Sequence, residues 1–262
     1  KANTNSNDEP RNGDSSKAVA IVTGVYGYEG TIYGYFNIYR RQIYVEAEYT
    51  DDGTKEIYHA INDDYFRIDG WRAREEYTYT PYTNINGQEE KGVLPQLELY
   101  FGDETSPLKE GDNSDYKVTP LNNLNACERN VPKDKRPTMR FTASANSNFI
   151  GYFDAYFVIK PVTLTDESKC KVSLSPIRNA FSGDFIRPQV TVTLKRDGQP
   201  DYTLEKDREG IDYKVKYEGD KFVSVGQETA GNLATRAIVT EVTDSNDESK
   251  ITGNLIGTYE LP

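Results

Sequence analysis

Ionisable groups are plentiful in this chain, but few stand at the spacings that chemistry requires. His59 is the only histidine. A hydrolytic triad needs a histidine beside a nucleophile, and no Gly-x-Ser-x-Gly elbow accompanies it. One histidine and two distant cysteines, Cys127 and Cys170, do not make a zinc site at any usual ligand spacing. The carboxylate pairs Asp51-Asp52, Asp63-Asp64 and Glu89-Glu90 fall in turn-rich sequence. Neighbours on a strand point to opposite faces, so none of them is a catalytic pair by itself. The run Asp244-Ser245-Asn246-Asp247-Glu248 is rich in oxygen and suits calcium in that respect. It lacks the glycine and distal glutamate of an EF-hand loop. The expectation is a protein that is not an enzyme and has no cofactor, with calcium at this loop the one ion considered.

One constellation suits binding rather than catalysis. Trp71, Tyr77, Tyr79 and Tyr82 gather flat aromatic rings within a dozen residues. Tyr77 and Tyr79 share a face if they lie on a strand. Exposed rings of this kind stack on sugars. The competing expectation is that Trp71 anchors a core and the tyrosines pair across strands. Cys127 and Cys170 either form one disulfide or stay as small buried thiols. Lys171 is expected to point outward, because its neighbour Val172 points inward, so an isopeptide crosslink is not expected there.

These residues need a scaffold, and composition indicates its class. The chain has 262 residues and a net charge of -11. An acidic balance disfavours nucleic acid and anionic membranes as partners. No apolar run is long enough to insert in a membrane, and no signal peptide is visible at Lys1. Twenty tyrosines against one tryptophan and one methionine suit pleated sheets with wet faces. No apolar stripe at helical spacing is found, so the class is all-β.

A phrase recurs along the chain. Residues 30–38 read GTIYGYFNI, 151–159 GYFDAYFVI and 253–261 GNLIGTYEL. Each carries a glycine, an aromatic six places on, and an Ile or Leu two places later. Repetition roughly a hundred residues apart predicts an array of like domains. The expected boundaries are a flexible leader over 1–17, the terminal strands of a partial repeat over 18–40, a domain with insertions over 41–161, and a domain over 162–262. In the last, Val190, Val192 and Leu194 alternate cleanly. Residues 210–217 (GIDYKVKY) follow, and residues 111–118 (GDNSDYKV) repeat them with two extra positions. In both, an Asp after the glycine turn is expected to close that turn onto backbone N–H groups.

Residues 170–175 (CKVSLS), 181–183 (FSG), 188–192 (PQVTV), Leu204, 210–217 and the closing Gly-x5-Tyr-x-Leu together resemble bacterial surface Ig-like repeats. The resemblance covers nearly all of the second full unit, residues 77–159 of the first, and only the tail of the partial one. It departs after the Asp-Tyr strand, where the family's Asn-Asn and Gly-x-Ala run is missing. The resemblance implies tandem Ig-like β-sandwiches on a cell surface or secreted, acting as a non-catalytic spacer, stalk or adhesin segment. Partners would be neighbouring domains or subunits and a host or environmental protein or glycan. Two rival functions stay open. One is a carbohydrate-binding module using exposed aromatics near Trp71, and the other is a fibre subunit assembling by strand complementation.

Overall fold

A computed structural model describes residues 18–36, 38–43, 47–51, 54–58, 66–72, 74–102, 104–127, 131–145, 147–175, 188–218, 236–244, 246 and 253–261. His59, Asp52, Asp63-Asp64 and the stretch 181–183 lie outside them. The described residues are all-β, arranged in several small sheets with two short 3-10 turns.

The strands that matter below are, in chain order, β1 (Ala18–Thr23), β2 (Thr31–Phe36), β3 (Phe66–Asp69), β4 (Glu75–Thr78), β5 (Tyr82–Ile85), β6 (Gln88–Lys91), β7 (Glu98–Phe101) and β8 (Tyr116–Leu121). They continue as β9 (Thr138–Ala143), β10 (Tyr152–Lys160), β11 (Cys170–Leu174), β12 (Val190–Leu194), β13 (Tyr202–Leu204), β14 (Lys214–Glu218), β15 (Arg236–Thr240) and β16 (Thr258–Leu261). Contacts group the chain into two compact units. Unit 1 holds Lys1–Glu75, Pro95–Leu121 and Thr138–Phe157, and unit 2 holds Glu76–Leu94, Asn122–Pro137 and Val158–Pro262. Lys160-Pro161 lies within unit 2.

Unit 1 is built around aromatic rings. Phe66, Phe101 and Phe149 form a cluster with centroid separations of 5.0 to 5.3 Å. β3 pairs antiparallel with β7, which brings Phe66 opposite Phe101. Alternation along β9 and β10 buries Met139, Phe141, Phe153, Ala155 and Phe157 on one face, as period two requires. The other face carries Arg140, whose guanidinium meets both oxygens of Asp154 at 2.6 and 2.8 Å.

Unit 2 obeys the same rule. Val190, Val192 and Leu194 on β12 are buried and pair with Leu174, Val172 and Cys170 of β11. Lys171 is exposed and Val172 buried, as their alternation demands.

A common hydrogen-bond scheme recurs. β8-β9-β10 run in the order found in β14-β15-β16. Val118 faces Phe141 and Phe141 faces Phe153, while Val215 faces Val239 and Val239 faces Tyr259. The bridge Glu110–Tyr116 recurs as Glu209–Tyr213. Parallel pairing of Arg41–Gln42 with Phe149–Ile150 recurs as Val162–Thr163 with Leu255–Ile256.

The hairpins add a third copy. Ala143 N–H donates to Gly151 O, Glu241 N–H to Gly257 O, and Gly24 N–H to Gly30 O, at 2.9, 3.2 and 3.0 Å. Each accepting glycine has a positive φ of 82° to 104°, a region where a Cβ is strained. The hydrogen bonding therefore aligns Gly257, rather than Gly253 of the sequence phrase, with Gly30 and Gly151. The four-residue shift is even, so Tyr259 and Leu261 keep a common face.

Candidate functional site

The four candidate aromatics do not form one site. Trp71, in unit 1, is only 9% exposed. Its ring packs edge-to-face on Phe153 with centroids 5.4 Å apart, and its Nε1–H donates to Tyr156 O at 3.0 Å. An indole enclosed in this way offers no face to a sugar, and it serves instead as a core anchor with its one polar atom satisfied. Tyr77 is half-buried on β4. Tyr79 and Tyr82, by contrast, line the same cavity in unit 2, about 450 Å³ in volume.

That cavity is placed by two short elements. β5 and β6 form a hairpin turned by Asn86-Gly87, both at positive φ, a combination that suits a two-residue hairpin. The hairpin presents Tyr82 at its open end. From the other side comes Tyr202 at the start of β13, with ring centroids 5.3 Å apart and planes at 45°. Arg196 clamps the pair. It donates through Nη1 to Tyr82 O at 3.3 Å and through Nη2 to Glu89 Oε1 at 3.1 Å, and lies over the Tyr202 ring at 5.6 Å.

Below the rings lies a buried polar chain. Arg208 donates through Nε and Nη2 to the two oxygens of Asp212 at 2.7 and 2.9 Å, and through Nη2 to Tyr79 Oη at 3.2 Å. Asp212 is fully buried. It also accepts from Asn254 Nδ2 at 2.6 Å, and Asn254 Oδ1 accepts from Ala126 N–H at 2.6 Å. A fork-shaped guanidinium facing a planar carboxylate makes this the strongest polar contact available to a side-chain pair. The repeat position has thus diverged. Asp115 closes its turn onto Lys109 N–H at 2.9 Å as expected, whereas Asp212 engages a cation and an amide.

The environment sets the ionisation of two groups here. Burial, reinforced by the Asp212 carboxylate and partly offset by Arg208, pushes the Tyr79 phenol up to about 12. Burial, with Asp166 adding to it and Lys195 opposing, pushes the Cys170 thiol up to about 11. A raised value means that the folded chain holds its proton where the unfolded chain has lost it. This contribution to stability is complete below the unfolded values, near 9 for the thiol and 10 for the phenol, and is lost as pH climbs through the folded ones. Stability is therefore expected to hold up to about pH 9 and to decline to pH 12, Tyr79 alone contributing about 2–3 kcal/mol of the decline. Urea midpoints at pH 8 and 11.5 check this. Tyr79→Phe should show a distinctly smaller drop than the parent, and equal drops would refute the assignment.

Cys127 and Cys170, the pair considered for a disulfide, are both thiols in the structure. Among the described residues no group of three or more His, Cys, Asp or Glu is gathered to hold a metal. Of the acidic run 244–248, Asp244 and Asn246 are described, and Asp244 Oδ1 accepts from Asn246 N–H at 2.9 Å in a local turn. No helix among the described residues is long and apolar enough to cross a membrane.

The polar rim of the cavity leaves groups uncommitted. Among the described residues, no protein hydrogen bond engages Tyr82 Oη, Tyr202 Oη, Lys91 Nζ or the Glu205 carboxylate. Donors and acceptors of both signs therefore surround an aromatic floor. No family model, curated protein or solved structure matches the chain. Tyr202 and Arg208 were not singled out in the sequence. The Asn86-Gly87 hairpin and the i,i+4 spacing of Arg208 and Asp212 were the available signals.

Proposed function

We propose that the chain is a non-catalytic segment of an extracellular surface protein, built from tandem Ig-like modules and serving as a spacer or stalk. One observation carries this reading. The same strand order, cross-strand register, parallel bridge and glycine-closed hairpin occur twice in full. An enzyme needs one site with convergent groups, whereas a spacer needs length by repetition. The resemblance to bacterial surface Ig-like repeats agrees with this reading. The chain also passes from unit 1 to unit 2 or back at five points, at 75/76, 94/95, 121/122, 137/138 and 157/158.

Pulling the full chain by its ends tests the proposal. A spacer resists extension until discrete rupture events. Smooth lengthening at low force would overturn the reading.

A second reading is favoured by the uncommitted rim of the unit 2 cavity. An aromatic pair flanked by Lys91, Glu205 and two phenols suits a neutral polyhydroxylated ligand such as a glycan. If a glycan array returns a ligand, Tyr202→Ala should weaken it about tenfold, equivalent to ~1.4 kcal/mol. The melting temperature should barely move, because Tyr202 is only half-buried. Binding that survives Tyr202→Ala places the ligand elsewhere.

A further inference from the structure

We infer that the unit 2 cavity is built for an acetamido sugar, with Asn125 the residue that reads the carbonyl of its N-acetyl group. The inference rests on the glycan reading of that cavity and names the class of sugar.

A chain of hydrogen bonds fixes which way Asn125 turns its amide. Ala126 N–H can only donate, so the Asn254 atom that meets it at 2.6 Å is Oδ1. Asn254 then has Nδ2 on its other side, where it donates to Asp212 Oδ1 at 2.6 Å and to Asn125 at 3.1 Å. The Asn125 atom that accepts this bond is therefore Oδ1. Its Nδ2 is left over, and among the described residues no protein group accepts from it. Asn125 lines the cavity, and so does Arg208. The guanidinium spends Nε and Nη2 on Asp212 and Tyr79, and among the described residues Nη1 has no protein acceptor.

The loop that carries Asn125 is pinned at both ends. Asn123 Nδ2 donates to Lys91 O at 3.1 Å and Val93 O at 3.3 Å, and Val93 N–H donates to Asn123 O at 2.9 Å. Cys127 N–H donates to Ile159 O at 3.0 Å. Gly92, at a φ of 82°, permits the close approach, since a Cβ there would stand 2.5 Å from Asn123 O. Donors already held in place lose little freedom when a ligand arrives.

Two fixed N–H donors match a group that accepts and does not donate, a carbonyl rather than a hydroxyl. A carboxylate would also accept, but the cavity has no net positive charge to hold one. Lys91 and Arg208 are offset by Glu205 and by Asp212 beneath. The matching group is thus the carbonyl of a neutral amide. Leu124 and Ile211, 51% and 52% exposed, line the same cavity and give its methyl an apolar surface. The Tyr82–Tyr202 pair takes the sugar ring, and the phenols, Lys91 and Glu205 take its hydroxyls. An acetylated lysine side chain would bring the same amide but no ring or hydroxyls, leaving those groups unused.

The test titrates the isotope-labelled full chain by NMR with N-acetylglucosamine and N-acetylgalactosamine, each beside its parent hexose, glucose or galactose. At least one acetamido sugar should bind about tenfold more tightly than its parent, a factor that a neutral hydrogen bond can supply. It should also shift the Asn125 side-chain amide. Asn125→Asp keeps the oxygen that Asn254 needs and removes the donor, so it should abolish the preference. Leu124→Ser, at an exposed position, should weaken the acetamido sugar and not its parent. Melting curves check that both variants fold. A preference that survives either substitution in a folded chain overturns the inference. So does N-acetyl-lysine binding as tightly as the better sugar. Equal binding within each pair also overturns it, while the glycan reading stands if Tyr202→Ala weakens both members. Silence from all four sugars overturns the inference too, and the glycan array then decides separately whether the cavity takes another carbohydrate.

Discussion

Replacing Arg208 by alanine is expected to cost unit 2 about 3–5 kcal/mol, the loss typical of stranding one partner of a buried ion pair. Asp212 has no exposed surface, and both its oxygens are held by the Arg208 guanidinium. Asn254 contributes one further donor and cannot replace a cation. Whole domains are stable by only about 5–15 kcal/mol, so the variant should sit close to unfolding. Arg208→Lys should recover little, because an ammonium cannot span both carboxylate oxygens and reach Tyr79 as the fork does. The double change Arg208→Met with Asp212→Leu should recover most of the loss, since it removes both the charge and its desolvation. Denaturant unfolding followed by circular dichroism, with hydrogen exchange read on β14 to β16, measures all three. A loss below about 1 kcal/mol for Arg208→Ala would show the pair to behave as a surface ion pair.

Trp71→Ala carries the second large effect, a loss of about 3–5 kcal/mol from unit 1. The substitution leaves a cavity beside Phe153 and strips Tyr156 O of its indole donor. Trp71→Phe should keep most of the packing and lose the hydrogen bond, at about 1–2 kcal/mol. The parent's tryptophan fluorescence should be blue-shifted and shift red on unfolding, as Trp71 is the only indole. If Trp71→Ala folds with parental stability, the side chain is not the anchor its contacts indicate.

The contrast between Trp71 and Tyr82 shows where sequence reasoning stops. Both were aromatic candidates for the same surface. Alternation tells which residues of a strand share a face, but not which face meets the core. Phe153 and Tyr156 lie more than eighty residues from Trp71 and close over it. Tyr82 stays half open because its partner, Tyr202, comes from across a cavity. Asp115 and Asp212 make the same point. Their local sequences are alike, yet only Asp212 has an Arg208 four residues before it and an Asn254 arriving from 42 residues further along the chain.

The all-β class, the inward faces of β11 and β12, and the recurrence of a closing phrase with an aromatic and an aliphatic residue two places apart follow from the order of residues alone. These depend on period-two alternation and on glycine at positive φ, both of which are local properties. The folded chain adds that Trp71 is core, that Gly257 rather than Gly253 closes its hairpin, and that Tyr79 and Tyr82 share a cavity with Tyr202. Each of those is a pairing between residues far apart in the chain. Such pairings are selected by burial and hydrogen bonding among all the strands at once, and no spacing within one segment encodes them.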